Sequence, residues 1–347
     1  MPPRSNMSLS GVRKQYIQLN PVNAVSNGVY SPGSGIPLIK FDISSSAAPM
    51  FLQGDELRIN GKITCAGVTN TGKNFVDNFA GRFASCIDTI TISSKRLNQV
   101  IERVNNYWRV VPSVISALHG NEDLSTVLAH EGGHHQTNFL ARHEMVANQG
   151  NKGKSFSSRL YTGCLNSGQM MDLSQAGMGG LVIEILLKPN VSYVFGTDAA
   201  TNSSTFQLSD LTLTCPLYHT AQGAPNAETF AFNSLSTIFQ TVNSSTSVIA
   251  LTPGLKQVSS IFANFMNTSE IGNQSFNSCR LGNIGQVRAL RFSINGALNP
   301  LQYRLLTNEE ANDNLAPAGK QYRARCMIDR NYLEATNIDR WSKTGRT

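Results

Sequence analysis

The stretch IPLIKFDIS, Ile36 to Ser44, carries the pattern that decides the fold class. Its apolar residues Ile39, Phe41 and Ile43 alternate with polar ones, so that every second side chain is hydrophobic. A period of two residues is that of a β-strand with one face against a core and the other in solvent. We therefore predict a half-buried strand over this stretch.

The same signal recurs along the chain. Further alternating segments are CIDTITIS (Cys86–Ser93), LSDLTLTCPLY (Leu208–Tyr218) and VRALRFSINGALNPLQYRL (Val287–Leu305). The segment GGLVIEILLKPN (Gly179–Asn190) is almost wholly apolar, as expected of a strand covered on both faces. Asn295-Gly296 predicts a tight hairpin turn inside the third alternating segment. Together these patterns predict a β-rich chain.

A second Asn-Gly pair, Asn60-Gly61 in DELRINGKITC (Asp55–Cys65), leaves two interpretations open. Asn-Gly commonly supplies the two positive-φ residues of a hairpin turn. The period-two pattern nevertheless runs straight through the pair, which also fits one long strand with a kink. The sequence therefore predicts either a hairpin or a single bent strand at this point.

The region from about residue 99 to residue 150 has a different rhythm. QVIERVNNYWRVVPSVISALHG (Gln99–Gly120) has helical spacing until Pro112 breaks it, and TNFLARHEMVAN (Thr137–Asn148) fits a further short helix. We therefore predict a partly helical, histidine-rich insertion in a β domain. The predicted parts of the chain are an extended N-terminal arm (1–33), a first β domain that contains the insertion (34–220) and a second β segment (221–347).

The composition limits the kinds of partner. Only 15% of the 347 residues are charged, and the net charge is +7. The basic residues are spread along the chain, so we expect weak attraction to polyanions and no dedicated nucleic-acid surface.

The six cysteines form no Cys-x-x-Cys pair, and the opening residues do not read as a signal peptide, which indicates reduced thiols in a cytosol-like compartment. No stretch is apolar enough to predict a membrane span.

The stretch VLAHEGGHHQ (Val127–Gln136) contains the H-E-x-x-H motif of zinc peptidases. In this motif His130 and His134 would bind the metal, and Glu131 would activate its water. A third protein ligand is missing, because Leu140 stands where metzincins have a histidine. Five of the six histidines lie in the insertion, which makes a chance match more frequent. We therefore predict no metal and no cofactor, and keep a catalytic zinc site at these residues as the alternative.

Six segments stand in a characteristic order along the chain. They are IPLIKFDISSSAAPMFLQGDELRINGKI, SCIDTITISSKRLNQVIERVNNYWRVVPSVI with its I-E-x-x-x-N-Y motif, GLVIEILLKPN, FQLSDLTLTCPLYH, VIALTPGLKQVSSIFANF and VRALRFSINGALNPLQ. In this order they resemble the double jelly-roll major capsid proteins of tailless icosahedral DNA viruses, the adenovirus hexon-like lineage, and most of all its virophage and Polinton-like branch. The resemblance covers the chain from Ile36 to about Arg304. It implies an all-β fold of two eight-stranded antiparallel sandwiches in tandem, with helical insertions.

The resemblance also implies a function. Proteins of this family are structural and not enzymes, and they form homotrimers that act as pseudo-hexameric capsomers of an icosahedral shell. The implied partners are other copies of the chain, penton and minor capsid proteins and, through weak electrostatics, an internal membrane or the packaged genome. The implied location is the virion, assembled inside the host cell.

Two further expectations complete this interpretation. Only about 43 residues follow Arg304, so either the second roll is abbreviated or the chain is part of a longer product. A β-sandwich that binds carbohydrate is a third alternative, prompted by the polar loops. The aromatic content of 8% and the position of the two tryptophans outside strand patterns count against it, because such sites usually present aromatic rings.

Overall fold

The computed structural model describes residues 12–23, 25, 27–32, 37–45, 49–66, 74–77, 83–111, 144–146, 154–175, 177–188, 194–196, 205–220, 230–250, 260–263, 268, 289–294, 297–305 and 334–337. Apart from short helical turns, the regular structure of these residues consists of β-strands. The strands are β1 (Val12–Leu19), β2 (Leu38–Ser44), β3 (Met50–Gln53), β4 (Arg58–Ala66), β5 (Asn74–Asp77), β6 (Ile87–Ser94), β7 (Val100–Val104), β8 (Glu144–Val146), β9 (Lys154–Arg159), β10 (Met170–Asp172), β11 (Gly180–Leu187), β12 (Val194–Gly196), β13 (Thr205–Thr220), β14 (Ser260–Ala263), β15 (Ala289–Ile294), β16 (Ala297–Leu305) and β17 (Glu334–Asn337). The predicted all-β class is confirmed.

Two antiparallel sheets form the main body. One sheet has the strand order β2-β11-β6-β7. In the other, β1 pairs with one edge of β13, while β3 and β4 lie end to end along the opposite edge. The 3-10 turn Gly54–Glu56 separates β3 from β4, and β10 and β9 continue the sheet beyond them. This second sheet therefore has four strand positions, in the order β1, β13, β3–β4 and β9–β10.

The path of the chain through these eight strand positions is that of a jelly roll. The chain changes sheet at each connection between them except the tight turn that joins β6 to β7. Two interlocked Greek keys of this kind are the defining topology of the fold. The first sandwich of the predicted architecture is thus present with a full set of strands.

The core lies between the facing sides of the two sheets. Alternation buries one side of the inner strands, and in β2 this side consists of Ile39, Phe41 and Ile43. The central strand β11 differs from its prediction, since Val182 and its outward-facing neighbours are only half-buried. Its apolar sequence was expected to be covered on both faces, but an antiparallel sheet in a two-layer sandwich covers only one.

Asn60-Gly61 lies inside one long strand, so the single-strand interpretation is confirmed and the hairpin is excluded. The partner strand β13 changes register between Ser209 and Thr212. This irregularity turns Leu211 into the core opposite Gly61, where an added Cβ would lie 2.5 Å from Leu211 Cδ2 and 3.0 Å from Phe156 Cζ. The glycine therefore makes room for close packing and forms no turn.

Three long crossovers leave the sandwich at the same end. They run from β4 to β6, from β7 to β9 and from β11 to β13, and each contributes one strand to a three-stranded sheet of order β12-β5-β8. Two predicted helices are corrected here. Val100–Val104 and Glu144–Val146 are strands, and the described helix covers only 107–111. Val100 and Val104 are four residues apart, a spacing that fits both a helix and a strand, so the spacing alone did not distinguish the two.

The N-terminal part differs from the predicted arm. Residues 1–33 were expected to be an arm outside the first domain. Val12–Leu19 is instead an edge strand of the first sandwich, paired over its whole length with β13. Its side chains Ile17 and Leu19 pack against the core, so this strand is part of the first sandwich.

The described part of the C-terminal half contains four strands in two antiparallel pairs. The predicted hairpin is confirmed by the pairing of β15 with β16, in which Ile294 lies opposite Ala297. β14 pairs with β17, a strand where helical or irregular structure was expected. Val248 to Ala250 were expected to begin a strand but have no regular structure. Eight strands in a second sandwich remain a prediction.

Replacing Gly61 with alanine should lower the stability of the protein. The new methyl group would overlap Leu211 and Phe156, and overpacking of this kind costs about 1–3 kcal/mol. The matched control is Gly177→Ala, whose Cβ would meet only Leu97 Cδ1 at 3.4 Å, an ordinary contact. Denaturant titration of both variants measures the difference. Equal stability of the two would contradict the packing explanation.

Candidate functional site

The residues of the zinc motif, His130, Glu131 and His134, lie outside the described residues. Their positions in the chain place them in the crossover between β7 and β9. Among the residues that are described, no group of three or more His, Cys, Asp or Glu side chains could hold a metal ion. The zinc site therefore stays a prediction from the motif alone.

No helix in the described part of the chain is both long and apolar enough to cross a bilayer.

Three cysteines of the described residues lie in the core. Cys86, Cys164 and Cys215 are all buried. Burial raises the pKa of the Cys215 thiol to about 12. Burial and then the negative charge of Glu102 raise the pKa of the Cys164 thiol well above its usual range. These two thiols are protonated at neutral pH, and a protonated thiol is a poor nucleophile.

The most distinctive polar group of the first sandwich is the buried carboxylate of Glu102. This residue lies in the edge strand β7, points toward the core and is 3% exposed. Its Oε1 accepts hydrogen bonds from the Gly163 backbone N–H at 2.9 Å and the Ser234 hydroxyl at 2.8 Å. Its Oε2 accepts one from the Cys164 backbone N–H at 2.8 Å. Three donors compensate a charge that would otherwise be costly to bury.

These three hydrogen bonds join parts of the chain that are far apart in sequence. Glu102 belongs to one sheet, and Gly163 and Cys164 belong to the loop between β9 and β10 of the other sheet. Ser234 is 132 residues beyond Glu102, in the segment that follows the first sandwich. We call this contact between Glu102, Gly163, Cys164 and Ser234 the Glu102 junction. It closes the side of the sandwich between the edge strands β7 and β9.

Close backbone packing supports the Glu102 junction. A Cβ atom on Gly163 would overlap the carbonyl oxygen of Asn233, so only glycine allows the two backbones to approach this closely. Farther along, the Thr237 hydroxyl donates to the Asn105 carbonyl at 2.9 Å. Residues 230–237 are thus fixed to the first sandwich at several points, although they form no strand or helix.

The I-E-x-x-x-N-Y motif of the sequence analysis lies at this junction. Its glutamate is Glu102, and its asparagine is Asn106, which has a positive φ of 51°. Its tyrosine is Tyr107, whose buried hydroxyl accepts a hydrogen bond from the Tyr161 backbone N–H at 2.7 Å. The motif was interpreted as the start of a helix. It also ends β7 and supplies the polar contacts to the loop after β9.

The outer face of the sheet β2-β11-β6-β7 carries two ion pairs. Lys40 pairs with Glu184 at 2.9 Å, and Lys95 with Asp42 at 2.8 Å. Half-exposed pairs of this kind contribute at most about 1 kcal/mol each. They leave these lysines compensated, and a compensated lysine adds little to the attraction of phosphates.

Lys14 in β1 is also compensated. Its ammonium group lies 2.6 Å from Glu56 and within reach of the rings of Tyr16 and Tyr218, at 4.9 and 5.2 Å from their centres. The hydrogen bond to Glu56, more than any other contact, raises the pKa of Lys14 above its usual value. The group stays charged at neutral pH and is held on the outer face of its sheet.

Replacing Glu102 with glutamine should destabilise the first sandwich. One carboxylate oxygen would become an NH₂ group facing a donor, and an unsatisfied buried donor costs about 1–3 kcal/mol. Ser234→Ala should cost about 0.5–1.5 kcal/mol, because it removes one of the three hydrogen bonds. Denaturant titration measures the stability, and hydrogen exchange of 230–237 should become faster in both variants.

The matched control for Ser234→Ala is Ser244→Ala. The Ser244 hydroxyl bonds only locally, to the Thr246 carbonyl at 2.6 Å, in an exposed position. Its loss should change stability by less than about 0.5 kcal/mol. A Glu102→Gln protein as stable as the unmodified protein would contradict the role given to the carboxylate.

Comparison with known proteins gives a likeness of fold. No model of a known protein family matches the sequence, and no curated protein matches it. A quasi-atomic structure of the PBCV-1 virus capsid matches with a TM-score of 0.54 and 10% identity, over 94% of this chain and 77% of that one. The crystal structure of PBCV-1 VP54, fitted into a reconstruction of the virophage Sputnik, matches with a TM-score of 0.51, 10% identity and the same shares of the two chains.

A third match is more distant. A chain from the cryo-EM structure of the Sputnik virophage matches with a TM-score of 0.37 and 10% identity over 64% of this chain. This chain spans about half of that one, 51% of its length. At such identities the comparisons establish the fold. The chain has the double jelly-roll fold found in viral capsid proteins, as the sequence resemblance predicted.

Proposed function

We propose that this chain is the major capsid protein of a virus, a structural subunit that is not an enzyme. The observation that carries the proposal is the match to PBCV-1 capsid structures over 94% of the chain. The complete set of jelly-roll strands in the first sandwich supports it. On this proposal the protein is located in the virion and is assembled inside the host cell.

The proposed assembly is a homotrimer that forms a pseudo-hexameric capsomer. Two sandwiches in each of three copies would place six similar blocks around a threefold axis, and closed rings of this kind need extensive contacts between copies. The proposed domains are a first roll that reaches residue 220 and a second roll over 221–347. Contacts between capsomers, together with penton and minor capsid proteins, would complete an icosahedral shell.

Electrostatic contacts play a minor part in this proposal. The net charge of +7 would give a weak attraction to an internal membrane or to the packaged genome. The ion pairs of Lys14, Lys40 and Lys95 support a weak contact, because these three lysines are already compensated by carboxylates.

The purified chain should form trimers. Its mass in analytical ultracentrifugation should be about three times the chain mass of 37.7 kDa, and negative-stain images should show particles with a hexagonal outline. A protein that stays monomeric at micromolar concentration and gives no hexagonal particles would contradict the proposal.

A zinc peptidase is the second candidate, because the H-E-x-x-H motif at His130, Glu131 and His134 is present in the sequence. We expect less than one zinc ion per chain after dialysis, since no third ligand accompanies the motif. Elemental analysis measures the metal content. One retained zinc per chain, with peptide hydrolysis that Glu131→Gln abolishes, would replace the structural proposal with this one.

A further inference from the structure

The segment after the first sandwich has two parts with opposite properties. Residues 230–237, which we call the anchor, are held by the Glu102 junction, and Phe230, Phe232 and Leu235 of the anchor pack against the core. Residues 238–249, which we call the apolar strip, have no regular structure. Their large side chains are exposed. These are Ile238 (51%), Phe239 (50%), Val242 (48%), Val248 (93%) and Ile249 (39%).

Such a strip is unusual for a protein surface that remains in water. Single exposed apolar residues are common, but contiguous groups mark contacts with a partner. The stretch from Phe230 to Leu255 also contains no charged residue. Cores of protein interfaces are depleted in charge, whereas surfaces that bind nucleic acids or lipid headgroups need positive charge. The composition of the strip therefore indicates that its binding partner is an apolar protein surface.

A second exposed apolar group lies on the opposite edge of the same sheet. Val22 is 55% exposed and Leu38 is 36% exposed, and we call this pair the β2 patch. Val22 lies beside β2, because its backbone N–H donates to the Lys40 carbonyl at 2.7 Å. The apolar strip starts directly after Thr237, which bonds to Asn105 at the end of β7. β2 and β7 are the two outer strands of the sheet β2-β11-β6-β7.

The geometry points to a head-to-tail contact between copies of this chain: the apolar strip of one copy packs against the β2 patch of the next. A contact between two different surfaces is heterologous, and heterologous contacts close a ring of three when successive copies are related by a third of a turn. The inference rests on the proposed trimer and names the surfaces that form it. The Glu102 junction fixes where the strip starts.

Two interface variants test the contact. In the strip variant, Phe239→Asp and Val248→Asp place charges in the apolar strip. In the patch variant, Val22→Asp places a charge in the β2 patch. Each variant alone should associate about 30-fold more weakly than the unmodified protein, measured by analytical ultracentrifugation, because a charge buried at an apolar contact is strongly unfavourable. Leu97→Asp is the control, since Leu97 is 61% exposed but lies in the turn between β6 and β7, outside both surfaces.

Mixing the two variants provides the more specific test. The patch variant keeps an intact strip, and the strip variant keeps an intact β2 patch, so one good contact remains possible between them. A mixture should form dimers of one copy of each variant and no closed trimers. Dimers in the mixture, with neither variant associating alone, support the head-to-tail contact.

Three results would overturn the inference. Strip and patch variants that form trimers as the unmodified protein does would show that the contact is elsewhere, while the proposed function stands. A strip variant with lower thermal stability but unchanged association would show that the strip covers other residues of its own chain. An unmodified protein that is itself monomeric would remove the proposed trimer together with the inference. A single substitution, Val248→Asp, separates an effect on association from an effect on folding. The Val248 side chain is 93% exposed and therefore contributes little to folding.

Discussion

The structure depends on the burial of apolar side chains between two sheets of four strand positions each. β11 and β13 are central to this arrangement, because β11 lies between β2 and β6 while β13 pairs with β1 on one side and with β3 and β4 on the other. Each buried aliphatic side chain contributes about 1.5–3 kcal/mol, and the inward rows supply many of them.

A sandwich of two sheets has open sides, and polar groups close one of them here. The Glu102 carboxylate lies where the edge strands β7 and β9 diverge and satisfies donors from the loop after β9 and from the anchor. A buried carboxylate with fixed donors allows fewer alternative arrangements than an apolar contact of the same size. The junction therefore gives a defined position to the segment that leads toward the C-terminal half. On the proposed function, a shell subunit built from two sandwiches needs such a fixed connection, because its contacts with neighbouring copies depend on how the two sandwiches are held together.

The sequence predicted the features that depend on local pattern. The strands at Leu38–Ser44, Ile87–Ser94 and Ala289–Ile294 follow from their period of two residues, and the resemblance predicted the fold that the structural comparison found. Features that depend on distant residues were missed. From the sequence alone Gly61 fits a turn, and its packing role depends on Leu211, which lies opposite it in the structure. Val100 and Val104 fit the period of a helix as well as that of a strand. Ser234 has no local signal at all, because its role is defined by a carboxylate 132 residues earlier in the chain.

The central claim is that each copy of this chain contributes two sandwiches to a threefold block. A single-particle cryo-EM map of the purified oligomer tests this claim most directly. We expect six sandwich-shaped densities around a threefold axis, with the long crossovers of all three copies at the same end of the particle. A map with one sandwich per copy, or without threefold symmetry, would contradict the account.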